Sequence, residues 1–99
     1  MNRFALLAAA VALLGATAAE AKTCKEPLTA SSRSTVAGGE EARTKRATDN
    51  AQKKWSKEAR AKYGLQYKFW LRADATGVEC KQTPKSTTCK VTATPCSLL

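Results

Sequence analysis

Residues 78–96 read VECKQTPKSTTCKVTATPC, which places Cys80, Cys89 and Cys96 close together while Cys24, the fourth cysteine, stands far upstream. Val78 and Cys80 alternate with Glu79 and Lys81; Cys89, Val91 and Ala93 alternate with Lys90 and Thr92. A period of two on either side of Thr83-Pro84-Lys85-Ser86 reads as strand, turn, strand. Centring the hairpin on Pro84-Lys85 sets Cys80 opposite Cys89 and Val78 opposite Val91, all on one face. Four cysteines allow three pairings, and this register favours Cys80–Cys89. Cys24 is then left to join Cys96 and close the two ends of the domain.

The competing uses of sulfur fit less well. A zinc site calls for CxxC knuckles or Cys/His pairs, and a thiol redox site usually shows CxxC. The chain has no histidine, and its cysteines are separated by fifty-five, eight and six residues. No metal and no cofactor is expected. Disulfides need an oxidising compartment, and the front of the chain supplies a route to one. MNRFALLAAAVALLGATAAEA carries Arg3, an apolar run from Phe4 to Leu14, and Ala19-Glu20-Ala21 at its exit. These are the three parts of a cleavable secretory leader, so residues 1–21 are read as a signal peptide. Eleven apolar residues fall short of the ~20 that a membrane-spanning helix needs. Export, to the periplasm or beyond, is the expected localisation, with no transmembrane segment after cleavage.

What remains, residues 22–99, is 78 residues (99 − 21), enough for one small domain. A chain of that size buries a little over ~60% of its unfolded surface, and large apolar side chains are few. The loop-closure model credits Cys80–Cys89 with about 3 kcal/mol and Cys24–Cys96 with about 4 kcal/mol. The bridges therefore compensate for a thin core.

Working outward from the hairpin, LTASSRSTV at 28–36 puts Leu28, Ala30, Ser32, Ser34 and Val36 on one parity. It reads as a weak strand, and pairing it antiparallel with residues 88–94 would bring Cys24 beside Cys96. Gly38-Gly39 ends that strand. Glu40 and Glu41 suit the positive end of a helix dipole, Arg60 and Lys62 the negative end, and Gly64 a helix stop. Between them Ala47, Ala51, Trp55, Ala59 and Tyr63 recur every four residues, the mark of one buried helix face. The next segment, 65–73, alternates like a strand yet also carries Tyr67, Trp70 and Leu71 at helical spacing. A second short helix is the preferred reading, with a strand as its alternative. The expected fold is α+β: one long amphipathic helix packed on a small antiparallel sheet, in the order β-α-(α)-β-β, stapled by disulfides.

The frame Ala47, Ala51, Trp55, Tyr63-Gly64, Tyr67, Trp70, Ala73, Cys80, Cys89 and Pro95-Cys96 resembles that of small exported alphaproteobacterial proteins of uncharacterised function. The likeness covers roughly residues 42–96. It rests on packing residues and cysteines, so it implies a fold and a periplasmic or secreted location and transfers no catalytic residue.

Chemistry in the sequence points away from catalysis. Without histidine there is no Ser-His-Asp or Cys-His pairing, and sulfurs spent in bridges leave no thiol nucleophile. The acids of 22–99 are Glu26, Glu40, Glu41, Asp49, Glu58, Asp74 and Glu79. Glu40 and Glu41 open the helix, and Glu58 sits four residues from both Lys54 and Lys62, as surface pairs do. Charge is the feature that calls for a partner. The leader takes away one cation (Arg3) and one acid (Glu20), which leaves 17 − 1 = 16 Lys or Arg against 8 − 1 = 7 acids, a net +9.

Arg43, Arg46, Lys53, Lys57 and Arg60 are read as a stripe on the helix side away from Trp55, available to an anion. The structural alternative is a solvated face that keeps a small protein soluble. The expected function is a non-enzymatic basic protein touching an anionic envelope component or an acidic protein. A secreted inhibitor or cationic toxin-like effector is the alternative. A nucleic-acid binder, with Tyr67, Phe69 or Trp70 as stacking platforms, fits export less well.

Overall fold

The computed structural model of the chain describes residues 22–98; the signal-peptide reading of residues 1–21 lies outside the described residues. Five strands and one long helix follow in order: β1 (Thr23–Cys24), β2 (Leu28–Ser34), α1 (Gly39–Tyr63), β3 (Asp74–Gln82), β4 (Thr87–Thr94) and β5 (Cys96–Ser97). Strands β2, β4 and β3 form an antiparallel sheet in that order, and β1 pairs with β5 in a separate two-stranded ribbon. The expected α+β architecture, a helix over a small antiparallel sheet with two bridges, is what the chain adopts.

Register follows the alternation. In the β3–β4 hairpin Val78 faces Val91 and Cys80 faces Cys89, and the Cys80–Cys89 disulfide spans Cα atoms 4.1 Å apart. Strand β2 pairs with β4 from Leu28–Ala93 to Ser34–Thr87. Cys24 faces Cys96 in the ribbon and is bonded to it, with Cα atoms 4.0 Å apart. Period-two alternation puts Thr87, Cys89, Val91 and Ala93 of β4 inside and leaves Thr88 and Lys90 in water. A sheet with one covered face requires this pattern, because a slip of one residue would invert it.

Helix α1 lies over β2 and β4 and touches β3 only slightly. Its inner stripe is Ala47, Ala51, Trp55 and Ala59, each fully buried. Alanines let the helix sit close to the sheet, and Trp55 fills the centre against Ala30, Val91 and Ala93. The indole N–H donates to the Ala93 carbonyl at 3.1 Å, which satisfies the one polar atom the ring would otherwise bury unpaired. The helix ends at Gly64, whose N–H donates to the Arg60 carbonyl. At φ 114°, ψ 171° Gly64 occupies a region essentially closed to side chains.

Segment 65–73 is neither one helix nor a strand. Two single 3₁₀ turns, Leu65–Tyr67 and Trp70–Arg72, are separated by Phe69 in an extended conformation. Here packing overrides local pattern: Tyr67, Trp70 and Ala73 lodge against the core, and Trp70 meets Trp55 edge to face, ring centroids 5.1 Å apart. Leu65, Phe69 and Leu71 are left exposed, so the core is smaller than the count of apolar residues suggests.

Candidate functional site: a cationic cleft beside the long helix

At roughly 100° per residue, Arg46, Lys53, Lys57 and Arg60 fall within an arc of about 60° on the side of α1 opposite Trp55. All four are exposed. Arg43 does not belong with them. It lies about 40° from Ala47 and extends the inner stripe by one turn, so its side chain is 8% exposed.

There the guanidinium ties the helix to the hairpin turn. Nε donates to Thr87 Oγ1 and Nη2 to the Thr83 carbonyl, both at 3.2 Å. Thr87 in turn donates to Gln82 Oε1, and the Gln82 amide donates to Thr44 Oγ1 at 2.8 Å. The Thr83 and Ser86 backbone and hydroxyl groups close the turn among themselves. Arg43 is thus a structural cation, and its placement in the anion-binding stripe is corrected: counting charge along the chain overlooks the four-residue spacing it shares with Ala47.

The chain after Gly64 folds back beside the helix, and this return builds the site. Lys53, Lys57 and Arg60 of α1 converge with Lys68 and Trp70 around an open cleft of about 530 Å³. Gln52 and Ser56 add uncharged polar groups, and Asp49 is the only acid on its wall. Among the described residues the one ion pair joins Lys22 to Asp74. The four cleft cations therefore have no carboxylate of the described residues within salt-bridge distance. Trp70 gives the cleft a rigid aromatic wall, held by its edge-to-face contact with Trp55. Arg46 lies outside, along a smaller depression with Lys45, Ala42 and Val36.

Of the five expected anion-binding residues, three meet in one place, one flanks it, and one is internal. Lys68 and Trp70 were not among them. The Gly64 stop announces a reversal, but no periodicity in 65–73 says which side chains return to the helix.

Chemically the cleft offers point charges, two neutral hydrogen-bonding side chains and one aromatic face. Those groups suit a phosphate- or carboxylate-bearing ligand with a flat or apolar part against Trp70. The described residues offer one other group with metal-ligating atoms, Cys24, Asp74 and Cys96, within 4.8 Å of one another. Its two sulfurs are bonded to each other, and the carboxylate is paired with Lys22. No helix among the described residues is long and apolar enough to cross a membrane. No protein-family model, curated protein or solved structure matches the chain.

Proposed function

We propose that this is an exported, non-enzymatic basic protein that holds an anionic component of the cell envelope, or an acidic protein, on the outer face of α1 and in the adjoining cleft. One observation carries the reading: Lys53, Lys57, Arg60 and Lys68 line a single concavity around Trp70 against one acid, Asp49, which forms an ion pair with none of them among the described residues. Like charges gathered this way repel one another, and an anionic ligand relieves that repulsion. Export is supported by the secretory pattern of residues 1–21 and by two disulfides that an oxidising compartment would maintain.

Equilibrium binding to vesicles with and without phosphatidylglycerol, to lipopolysaccharide and to inorganic polyphosphate, each over a range of salt, tests the proposal. Binding to the anionic probes should weaken steadily as salt rises, since each exposed cation acts within a screening length of about 10 Å at 0.1 M salt. Equal binding to neutral vesicles, or an affinity indifferent to salt, would contradict it.

A further inference from the structure

Residues 59–73 read ARAKYGLQYKFWLRA, a stretch without Asp or Glu in which Arg60, Lys62, Lys68 and Arg72 alternate with aromatic and apolar residues. Folding packs Ala59, Tyr67, Trp70 and Ala73 against the core but leaves three of the large apolar side chains outside it. Leu71 is 97% exposed, Leu65 56% and Phe69 41%, although each sits one to four residues from a side chain packed against the core. The cations gather on the rings beside them. Lys68 Nζ lies 5.3 Å and the Arg72 guanidinium carbon 4.7 Å from the Phe69 ring centre. Lys25 stands over Tyr67 at 5.4 Å, and Lys62 over Tyr63 at 5.6 Å.

We propose that the 65–72 segment inserts into the interfacial layer of an anionic bilayer, with Leu71 and Phe69 entering the acyl boundary and Lys68 and Arg72 held at the headgroups. This rests on the anion-binding reading of the neighbouring cleft and names the partner as a lipid surface. Composition decides between a bilayer and a protein. Protein interfaces share the enrichment in aromatic residues and arginine but are depleted of lysine, and lysine is what Lys62 and Lys68 add here. Membrane-surface segments combine Trp, Tyr and Phe with Lys and Arg, the apolar groups reaching the acyl boundary while the cations stay with the phosphates. The segment has the second composition, and the cationic cleft beside it shares Lys68.

The position of Trp70 supplies a reporter. It lies between Phe69 and Leu71 and is half buried, whereas Trp55 is fully buried. Residues 22–99, oxidised, are mixed with phosphatidylglycerol vesicles whose acyl chains are brominated near the headgroup. Trp70 emission should be quenched, and vesicles lacking the anionic lipid should quench far less. The double variant F69S/L71S removes only exposed side chains, so its near-ultraviolet circular dichroism should match that of the parent. Its vesicle partition coefficient should fall about tenfold or more, given the apolar area withdrawn, while its affinity for soluble polyphosphate falls far less, since Lys68 keeps its charge and loses only its contact with the Phe69 ring.

Vesicle binding without bromine quenching and with no loss in F69S/L71S would overturn the insertion and leave the anion-binding reading standing. So would binding to polyphosphate with none to vesicles. Loss of self-association in F69S/L71S, with vesicle binding intact, would overturn it in favour of contact between copies of the chain. Failure to bind either vesicles or polyphosphate would remove the anion-binding reading itself.

Discussion

Arg43 and Arg46 stand three positions apart on α1 and do different work. Arg43 is enclosed and donates to Thr87 and to the Thr83 carbonyl; Arg46 is in water. Removing a partner from a buried hydrogen-bonded network leaves polar groups unsatisfied, at about 1–3 kcal/mol. Arg43→Ala should therefore lower unfolding stability in urea by that amount, while Arg46→Ala should stay within about 0.5 kcal/mol of the parent. Equal effects would contradict the assignment of Arg43 to structure. Trp55 carries more. Trp55→Ala takes away the side chain at the centre of the helix–sheet contact along with its bond to Ala93, and a loss of about 3–5 kcal/mol is expected, read from the same urea curves.

At the scale of elements, the parts that follow from local chemistry were legible and the part governed by packing was not. The hairpin announced itself through alternation around Pro84-Lys85, and its register placed Cys80 against Cys89. The helix was bounded by its charges and by Gly38-Gly39 and Gly64, and it runs from Gly39 to Tyr63. Segment 65–73 carried two periods at once. Neither one governs, because Tyr67 and Trp70 are placed by the core they reach rather than by neighbours in sequence.

Gly64 makes that return possible. Its φ of 114° with ψ 171° strains any side chain by roughly 1–3 kcal/mol, and an added Cβ would lie 3.2 Å from Gln66 Oε1. Gly64→Ala should destabilise the protein by that order. It should also redden and weaken the Trp70 signal as the 65–72 return loosens, a change that steady-state fluorescence would register. An unchanged spectrum and midpoint would show that the turn does not depend on this backbone conformation.

For the whole molecule, the cysteine pairing was readable because strand register left one arrangement consistent with both ends of the chain. The two bridges close loops of very different length, with partners 72 and 9 positions apart. The chain-entropy model gives about 4 and about 3 kcal/mol. Cys24→Ser/Cys96→Ser should thus lower the thermal midpoint more than Cys80→Ser/Cys89→Ser does, as calorimetry would show. The reverse order would mean that the hairpin bridge supplies more than loop closure.

The proposed binding face was only half legible. Charge spacing found Lys53, Lys57 and Arg60, but helical arithmetic alone could not supply Lys68 and Trp70, which arrive through a turn of tertiary origin. A net charge of +9 would attract anions over much of the surface, whereas a site concentrates the effect. Arg33, Lys81 and Lys90 are exposed on the sheet face turned away from the helix, and they provide a charge-matched control.

The most direct measurement compares K53Q/K57Q/R60Q with R33Q/K81Q/K90Q, two variants of equal net charge, in binding to phosphatidylglycerol vesicles at fixed salt. The cleft variant is predicted to lose about a hundredfold in affinity, at roughly fivefold for each of the three cations near an anionic surface, and the sheet variant to stay near the parent. Equal losses in the two would show that net charge alone governs binding and that the cleft is no site.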